Sequence, residues 1–472
     1  VGSLCTFFAL IYGPAALLSP IWRISPLVTF ALARFTLKGI EVVTLTDGVA
    51  AALIVALYGP LVFYANQLLP TAAAVTLDLA ALLCIIRALE RPSLARWAGA
   101  GLMIGVAGRA VPNALVMAPV AAVAGWHATR RVGGAQRAVA HVGLLALGIV
   151  AVVAPVAVRN RIVGGSWTPI ATNGGINFFI GNNPRMDVTI ATRPGIDWER
   201  LEIMPHVQGA VTPAAAELYF RREAGHFIAE HPLDFVLNLA RKAWHTVTSR
   251  ELPRNLDLYV MRDYSHVLAP LVWRTEWFAF PFGLLAPLAC AGIALYGVRR
   301  REWSILAMVA ILYLCSVALF FPAGRYRAPM IPLLAIFAVA AVTWLARWRE
   351  QSVRNQVAWG VALLLTAVAI NMPAAFPTNK VDFRAELYNA IGTGREVRGR
   401  RTDALAWYET AIKRNPGMAD AHYNRANALA NLRRNTEAVV AYREALRLRP
   451  DHDKARVNLG LVLYGQGQVQ NA

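Results

Sequence analysis

The chain has 472 residues, of which 57% are hydrophobic and only 16% are charged, and its mean hydropathy is +0.43. Ordinary soluble domains carry about 25% charged residues, so this composition predicts a membrane protein. The formal charge of +19 does not indicate a nucleic acid partner, because the basic residues separate apolar runs instead of clustering with aromatic residues on one face.

The cysteines and histidines predict neither a disulfide nor a metal site. Every cysteine lies inside an apolar segment, none belongs to a CxxC pair, and the histidines are scattered singly. The chain opens at Val1 directly in apolar sequence, without the charged stretch that begins a signal peptide. We expect further residues before Val1 and after Ala472 in the complete protein.

Apolar stretches of about 20 residues, the length that crosses the hydrocarbon core of a bilayer, recur along the chain. They predict the N-terminal part of a transmembrane bundle in residues 1–158 and its C-terminal part in residues 268–373. The stretch 97–126 is interrupted at 109–113, and we interpret it as two short helices that form a hairpin. The other predicted spans are 4–18, which is partial, and 19–37, 47–65, 68–89, 138–158, 268–298, 303–321, 328–346 and 356–373.

Arginine clusters between the spans predict the orientation of the bundle, because short loops rich in Lys and Arg stay on the cytoplasmic side. Counting crossings from these clusters places residues 159–267, the turn 322–327 and everything after residue 373 on the outer side. The clusters are Arg87, Arg91 and Arg96; Arg130, Arg131 and Arg137; Arg299, Arg300 and Arg301; and Arg347, Arg349 and Arg354.

The segment 159–267 is too long and too polar for a simple connector, since loops beyond about 12–15 residues are usually functional or separately folded. We predict a small extracytoplasmic domain. Its first half is dense in Asn and Gly, which are typical of tight turns. In its second half, residues 213–231 and 232–249 have the spacing of amphipathic helices, and we expect both to lie against the membrane surface.

The tail, residues 384–472, repeats with a fixed period. Ala404 and Ala438, Tyr408 and Tyr442, Ala411 and Ala445, and Pro416 and Pro450 are each 34 residues apart. This pattern resembles the tetratricopeptide repeat, in which pairs of antiparallel helices stack into an α-solenoid. The sequence predicts two complete repeats and a truncated third. Such arrays form concave surfaces, so we expect a protein or peptide partner.

Five stretches of the chain resemble bacterial GT-C transferases related to protein O-mannosyltransferases, of glycosyltransferase family 39, and to lipid A aminoarabinose transferases. The likeness covers roughly residues 12–373. It implies a mainly α fold: a polytopic transmembrane helix bundle in the bacterial inner membrane, with a small outer domain and the repeat tail. The stretches are residues 58–71, 112–115, 173–183, 251–259 and 324–329.

The resemblance also implies a reaction. In such enzymes an acceptor hydroxyl attacks the anomeric carbon of a sugar carried on polyprenyl phosphate, at the outer face of the membrane. A carboxylate then accepts the proton, and cations stabilise the departing phosphate. The family's principal carboxylate lies in the first outer loop, which this sequence lacks, so we expect the catalytic residue upstream of Val1. No cofactor is implied beyond the lipid-linked donor, with a divalent cation left open.

Candidate binding residues follow from the matching stretches. Guanidinium groups suit phosphate oxygens, so the predicted ligands of the donor phosphate are Arg325, Arg327 and Arg109. For the arginines of the turn, the alternative is an interfacial role at a helix end. Asp78 lies within an apolar span, and we interpret it as bonded to a neighbouring helix. Polar residues that could bind sugar or acceptor are Gln67, Asn113, Asn173, Asn177, Asn182, Asn183, Glu251, Asn255 and Asp257.

Two other functions remain open at this point. One is transfer of a lipid-linked glycan to lipid A, a wall polymer or a glycolipid instead of a protein. The other is a non-catalytic membrane scaffold, in which the repeats assemble an envelope complex and the bundle is their anchor. A transporter is disfavoured, because the sequence has no inverted pair of broken helices.

Overall fold

The computed structural model describes residues 45–65, 67, 71–170, 173–254, 256–298 and 301–467. The predicted spans 4–18 and 19–37, and the candidate residue Asn255, lie outside these residues. The described part of the chain is mainly helical, as the sequence predicted, and ends in an α-solenoid.

Nine of the described helices form an apolar bundle, namely the first five helices and four later ones. They are α1 (Leu45–Ala56), α2 (Gly59–Ala65), α3 (Thr71–Glu90), α4 (Leu94–Ala110), α5 (Met117–Gly164), α13 (Phe282–Tyr296), α14 (Arg301–Leu319), α16 (Ile331–Ala346) and α17 (Val353–Asn371). Helix α16 is its centre, since every side chain from Ile331 to Ala341 is buried. Helix α13 approaches it closely because Gly292 has no side chain: a Cβ there would lie 2.0 Å from the Phe337 carbonyl oxygen.

The break expected at 109–113 is present. Helix α4 ends at Ala110, and a 3-10 turn begins at Pro112. The proline nitrogen carries no hydrogen, so it cannot donate the next hydrogen bond of the helix. Helix α5 then extends to Gly164, with non-helical backbone at Gly134, whose φ is +79°. Thr129 and His141, on either side of Gly134, lie 3.0 Å apart, so the chain folds back there and α5 consists of two helices joined at a kink. The predicted span 138–158 lies in the second of them. A Cβ at Gly101 would lie 2.1 Å from the Leu145 carbonyl, so glycine lets α4 and α5 touch.

The predicted span 268–298 begins later than expected. Residues 268–280 form helix α12 (Leu268–Leu271) and a two-stranded antiparallel hairpin, β1 (Trp273–Arg274) and β2 (Ala279–Phe280). The charged pair Arg274 and Glu276 interrupts the apolar run here, so the helix starts only at Phe282.

Four of the described helical segments are long and apolar enough to cross a membrane, or five if a pair bent by 57° counts as one span. The bent pair is Thr46–Ala56 with Gly59–Ala65, and the four are Pro112–Gly164, Arg301–Leu319, Gly324–Ala346 and Val353–Asn371. Helix α17 is only slightly buried and exposes Val357, Leu364 and Leu365, each by at least 61%. So many exposed apolar side chains on one helix are unusual on the surface of a soluble protein.

Residues 173–254, here called the loop domain, fold over the end of α14. Their helices are α6 (Gly174–Gly181), α7 (Met186–Ala191), α8 (Ile196–Val207), α9 (Pro213–Glu230) and α10 (Pro232–Val247). The core of this domain includes Phe179, Ile180 and Phe220 and extends to Phe321, just beyond α14. A Cβ at Gly181 would lie 1.5 Å from the Phe320 carbonyl, so only glycine permits this contact.

Short helices α11 (Leu258–Met261) and α15 (Gly324–Arg327) join the loop domain to the bundle. The repeat array, residues 383–465, follows α17 and consists of α18 (Phe383–Val397), α19 (Arg401–Arg414), α20 (Ala419–Asn431), α21 (Asn435–Leu448) and α22 (Asp453–Gly465). Tyr408 and Tyr442, 34 residues apart, are buried between paired helices. Gly392 leaves room for the Tyr408 ring, which a Cβ would approach to 2.6 Å.

Candidate functional site

A buried ion pair lies where the loop domain meets the bundle. Arg327 of α15 donates from Nη2 to Glu251 Oε1 at 2.8 Å, and the two side chains are only 3% and 4% exposed. The guanidinium also donates to the carbonyl oxygens of Thr248 at 2.6 Å and Arg250 at 3.0 Å. Its carbon lies 3.8 Å from the centre of the Phe282 ring. Arg327 therefore fixes the chain that leaves α10.

Three tyrosines complete this group, which we call the buried cluster: Glu251, Arg327, Tyr58, Tyr64 and Tyr259. Tyr58 donates to Glu251 Oε1 at 3.5 Å, and the Glu251 amide donates to the Tyr259 oxygen at 3.2 Å. Burial, followed by the nearby Glu251 carboxylate, raises the pKa of Tyr259 to about 12. Glu251 Oε2 is buried and has no hydrogen-bond partner among the described residues.

The buried cluster borders a cavity of about 800 Å³ between the loop domain, the β1–β2 hairpin and the start of the repeat array. This junction cavity has six cationic and four acidic side chains in its lining, an excess of positive charge. The acidic ones are Glu251, Asp257, Asp263 and Asp382; the cationic ones are Arg250, Arg262, Arg274, Lys380, Arg384 and Arg414.

Three of the four acidic residues of the lining are engaged by cations or backbone amides, and Glu251 pairs with Arg327 through one oxygen only. Asp263 pairs with Arg384, and Asp382 accepts from Arg414 Nε at 3.1 Å. Asp257 caps α11, accepting from the amides of Tyr259 and Val260. Burial raises the pKa of Asp257, although the adjacent Arg274 opposes that shift. The guanidinium of Arg274 lies over the aromatic ring of Tyr259, with its carbon 4.3 Å from the ring centre. The cavity can therefore accommodate an added negative charge.

The three arginines predicted to bind phosphate occupy different environments. Arg327 is buried in the cluster described above. Arg325 is partly exposed and donates to the Tyr326 hydroxyl at 2.8 Å. Arg109 is exposed near the end of α4. Glu251 and Asp257, predicted to bind sugar or acceptor, line the junction cavity together.

The other predicted polar residues lie mainly in local networks. Asn113 donates to Ser316 Oγ at 2.7 Å, which joins the 3-10 turn to α14. Asn182 and Asn183 are buried and bond to backbone carbonyls that end α6. Asn173 is exposed before α6, and Asn177 is half-buried within α6. Gln67 is buried, and its amide nitrogen has no partner among the described residues. The expected bond from Asp78 to a neighbouring helix is wrong for the described residues: the side chain is fully buried in α3, and neither carboxylate oxygen has a partner there.

Lys242 of α10 is a buried lysine that the sequence analysis did not predict. Its ammonium is fully buried and donates to the Gly181 carbonyl and to Asn182 Oδ1, each at 2.8 Å. It also reaches the carbonyls of Leu319 and Phe320 at 3.2 Å. Burial lowers its pKa to about 7. The lysine thus ties α10 to α6 and to the end of α14, and no motif around it indicated this.

The sequence analysis also did not predict which basic residues line the junction cavity. Arg250 and Arg274 lie near predicted residues in the chain, but Arg414 belongs to the repeat array and comes close only through folding. Among the described residues, no group of three or more histidine, cysteine or acidic side chains is placed to hold a metal ion.

The repeat array carries a polar surface on the first helix of each repeat. Asn424 of α20 donates to Asn389 of α18 at 3.0 Å, and Asn458 of α22 donates to Asn427 of α20 at 2.9 Å. Asn427 also accepts from the Tyr442 hydroxyl at 2.6 Å. These partly exposed amides link the first helices of three successive repeats and form a polar row, here called the asparagine row.

Comparison with known proteins places the repeats in a family. The tetratricopeptide-repeat model matches residues 390–452 and 432–472. A curated protein of Arabidopsis thaliana, the inactive TPR repeat-containing thioredoxin TTL3, is 40% identical over 82 residues. That alignment covers 17% of this chain and 12% of the relative, so the chain spans a small part of the relative's length. The prediction of tetratricopeptide repeats at the C-terminus is confirmed.

Proposed function

We propose that the chain is a membrane-anchored scaffold whose tetratricopeptide array binds a protein partner at the outer surface of the bilayer. The observation that carries this proposal is the asparagine row, which presents spaced amide donors and acceptors on the three first helices. Such groups suit the backbone of an extended or helical peptide, and stacked repeats commonly bind peptides on this scale.

The apolar bundle supports the anchoring part of the proposal. Its long helices have the length and composition of membrane spans, and α17 turns apolar side chains outward. Labelling single cysteines with a membrane-impermeant maleimide tests the orientation. We expect Gln208→Cys in the loop domain to react from outside and Arg91→Cys only after the membrane is opened. Reaction of Gln208→Cys from the cytosol alone would contradict the proposal.

Partner binding is tested by photocrosslinking in membranes of cells that express the full-length chain. A photoreactive amino acid replaces Asn424, in the asparagine row, or Arg443, which is exposed on α21 and serves as the matched control. We expect a discrete crosslinked protein from position 424 and none from position 443. The same products from both positions, or none from either, would count against a scaffold.

Sugar transfer from a polyprenyl-phosphate donor, to a protein or an envelope glycan or lipid, is a second candidate. It is supported by the junction cavity, whose volume lies in the range of about 300–1,000 Å³ found for small-molecule sites. Excess cations there suit the donor phosphate, and Glu251 Oε2 is a buried acceptor without a partner in the described structure. Five sequence stretches resembling GT-C transferases, one of which contains Glu251, point the same way.

Labelled polyprenyl-phosphate hexose, incubated with membranes that contain the full-length protein, tests this second candidate. We expect label in protein or in lipid, and a fall of at least about ten-fold when Arg262 and Arg274 are both replaced by alanine, because each guanidinium interaction with phosphate is charge-assisted. Arg222→Ala, in the exposed face of α9, is the control. Absence of transfer by the wild type would leave only the scaffold.

A further inference from the structure

One segment of the loop domain crosses the repeat array at equivalent positions of all three repeats. Glu386, Asp420 and Lys454 are separated by 34 residues each, so they occupy the same place in α18, α20 and α22. All three contact residues 193–200, here called the crossing segment. Arg193 Nε lies 2.9 Å from Glu386, and Lys454 Nζ lies 2.7 Å from Glu199.

The contact at the middle repeat depends on a glycine. Gly195 has a φ of +142°, and a Cβ added there would lie 2.7 Å from Asp420 Oδ2. Backbone of this conformation favours glycine, and the missing side chain lets the segment pass close to α20. The residues of the segment therefore meet the first, second and third repeats in chain order, as a bound peptide would.

Charge complementarity continues along the rest of the segment. Asp197 accepts from Arg449 at 3.2 Å, and Arg200 pairs with Asp451 and approaches Asp453. Arg193 also stacks over the Phe383 ring, 4.5 Å from its centre. The order basic, acidic, acidic, basic along residues 193, 197, 199 and 200 thus matches the charges that the array presents.

The contact is mainly electrostatic. Within the described chain, the buried apolar clusters of the loop domain and of the array share no residue. Apart from Arg193 and Glu386, the paired side chains are 29–71% exposed. Exposed ion pairs contribute little to stability and weaken with salt. The segment is therefore held by contacts that a competing ligand can replace.

We propose that the crossing segment is an internal ligand of the repeat array, and that a protein partner with the same order of charges displaces it. This inference rests on the proposed scaffold function and adds to it the chemistry of the partner and a means of regulation. When the segment is seated, the start of each first helix is covered and the array is closed to such a partner. When it leaves, Glu386, Asp420 and Lys454 become available together.

The test uses the full-length protein in nanodiscs and a fluorescent peptide with the native sequence of residues 192–207. In the weakened variant, Asp197, Glu199 and Arg200 are all replaced by alanine, while the array stays unchanged. We expect the peptide to bind this variant at least about ten-fold more tightly than the wild type, because a ligand on the same chain acts at an effective concentration in the millimolar range. A peptide with the four charges reversed should not bind.

The matched control replaces Arg222, Glu230 and Asp234, three exposed residues of the same types in α9 and α10. It should bind the peptide as weakly as the wild type does. Equal affinity for the wild type and the weakened variant, or no binding to the weakened variant, would overturn the proposal.

Hydrogen exchange on the wild type provides a measurement that needs no substitution. The amide hydrogens of Arg193 and of residues 195–200 should exchange faster when the ionic strength rises well above about 0.1 M, where screening acts within about 10 Å, whereas those of α16 should not change. Exchange in the segment that is independent of salt would contradict an electrostatically held ligand. Loss of crosslinking at Asn424 with peptide binding intact would instead remove the scaffold function alone.

Discussion

The loop domain is held by two sets of arginine–carboxylate contacts that differ in their access to water. On the bundle side, Arg327 and Glu251 are almost fully buried and the guanidinium also binds backbone carbonyls. On the array side, apart from Arg193 and Glu386, the contacts are more open to water: Arg200 is 37% exposed, and its partners Asp451 and Asp453 are 63% and 71% exposed. The same type of ion pair therefore has two roles. The buried pair is costly to break, whereas water or another charged group can readily replace a partner of the exposed pair.

This difference separates a fixed interface from an adjustable one. Removing one partner of a buried pair leaves a charge without compensation, whereas water and salt replace the partner of an exposed one. We therefore expect the loop domain to stay on the bundle while its contact with the array opens and closes. Substitutions on the two sides should differ in magnitude and in salt dependence.

The largest effect is expected from Arg327→Ala. It leaves the Glu251 carboxylate buried and unpaired and frees the carbonyls of Thr248 and Arg250. The free energy of unfolding of the loop domain should fall by about 3–5 kcal/mol, measured by thermal unfolding in detergent. Arg325→Ala, which removes a partly exposed side chain bonded to Tyr326, is the control and should change little.

A double variant makes the explanation of that loss specific. If the cost comes from the unpaired carboxylate, Glu251→Gln combined with Arg327→Met should be less destabilised than Arg327→Met alone. An equal loss in both proteins would mean that the lost contacts of the guanidinium with Phe282 and with the carbonyls of Thr248 and Arg250, not the unpaired carboxylate, decide the result.

The next prediction concerns pH and the buried Lys242. Its pKa is lowered to about 7 in the folded protein, and a lysine in an unfolded chain titrates near about 10.4. Between these values the unfolded state binds more protons, so the free energy of unfolding should rise with pH, by at most about 1.4 kcal/mol per pH unit. Below about pH 7 both states are protonated and this contribution becomes constant.

Lys242→Met isolates that contribution, because the substitution keeps a long side chain and removes the titrating group. Denaturation of the wild type and the variant at pH 7, 8, 9 and 10 should show the slope in the wild type only. An unchanged slope in the variant would assign the pH dependence to other groups.

The repeat array could be predicted from sequence because its signal is periodic and local. Matched residues recur every 34 positions, and each small or aromatic residue packs within its own or the adjacent repeat. The helices of the bundle were also foreseeable from apolar stretches. The late start of α13 shows the limit: a single charged turn, Arg274 to Glu276, divided one apolar run into a hairpin and a helix.

The buried cluster and the junction cavity could not be derived in the same way. Glu251 and Arg327 are 76 residues apart, and both were candidates, but no spacing indicated that they pair with each other. Arg414 reaches the cavity from the array, beyond the whole second half of the bundle. Such contacts depend on how separate helices pack, which a single sequence does not specify. The phosphate and sugar roles of the candidate residues stay predictions.

A smaller effect is expected from Gly195→Ala on the array side. The added Cβ meets Asp420 and the backbone φ of +142° is strained for alanine, so the crossing segment should be destabilised by about 1–3 kcal/mol. Exchange of amides in the segment should increase. Gly209→Ala is the control: its φ is also positive, at +82°, but the space around it is open, so it should leave the segment unchanged.

The smallest effect is expected from Arg200→Ala, which breaks the exposed contacts with Asp451 and Asp453. Exchange of the first amides of α22 should rise by no more than about five-fold at low ionic strength, since an isolated surface pair contributes little. The difference from the wild type should vanish in high salt, where screening has already removed the interaction. A large effect that persists in high salt would mean that this side, too, is a fixed interface, and the distinction between the two contacts would fail.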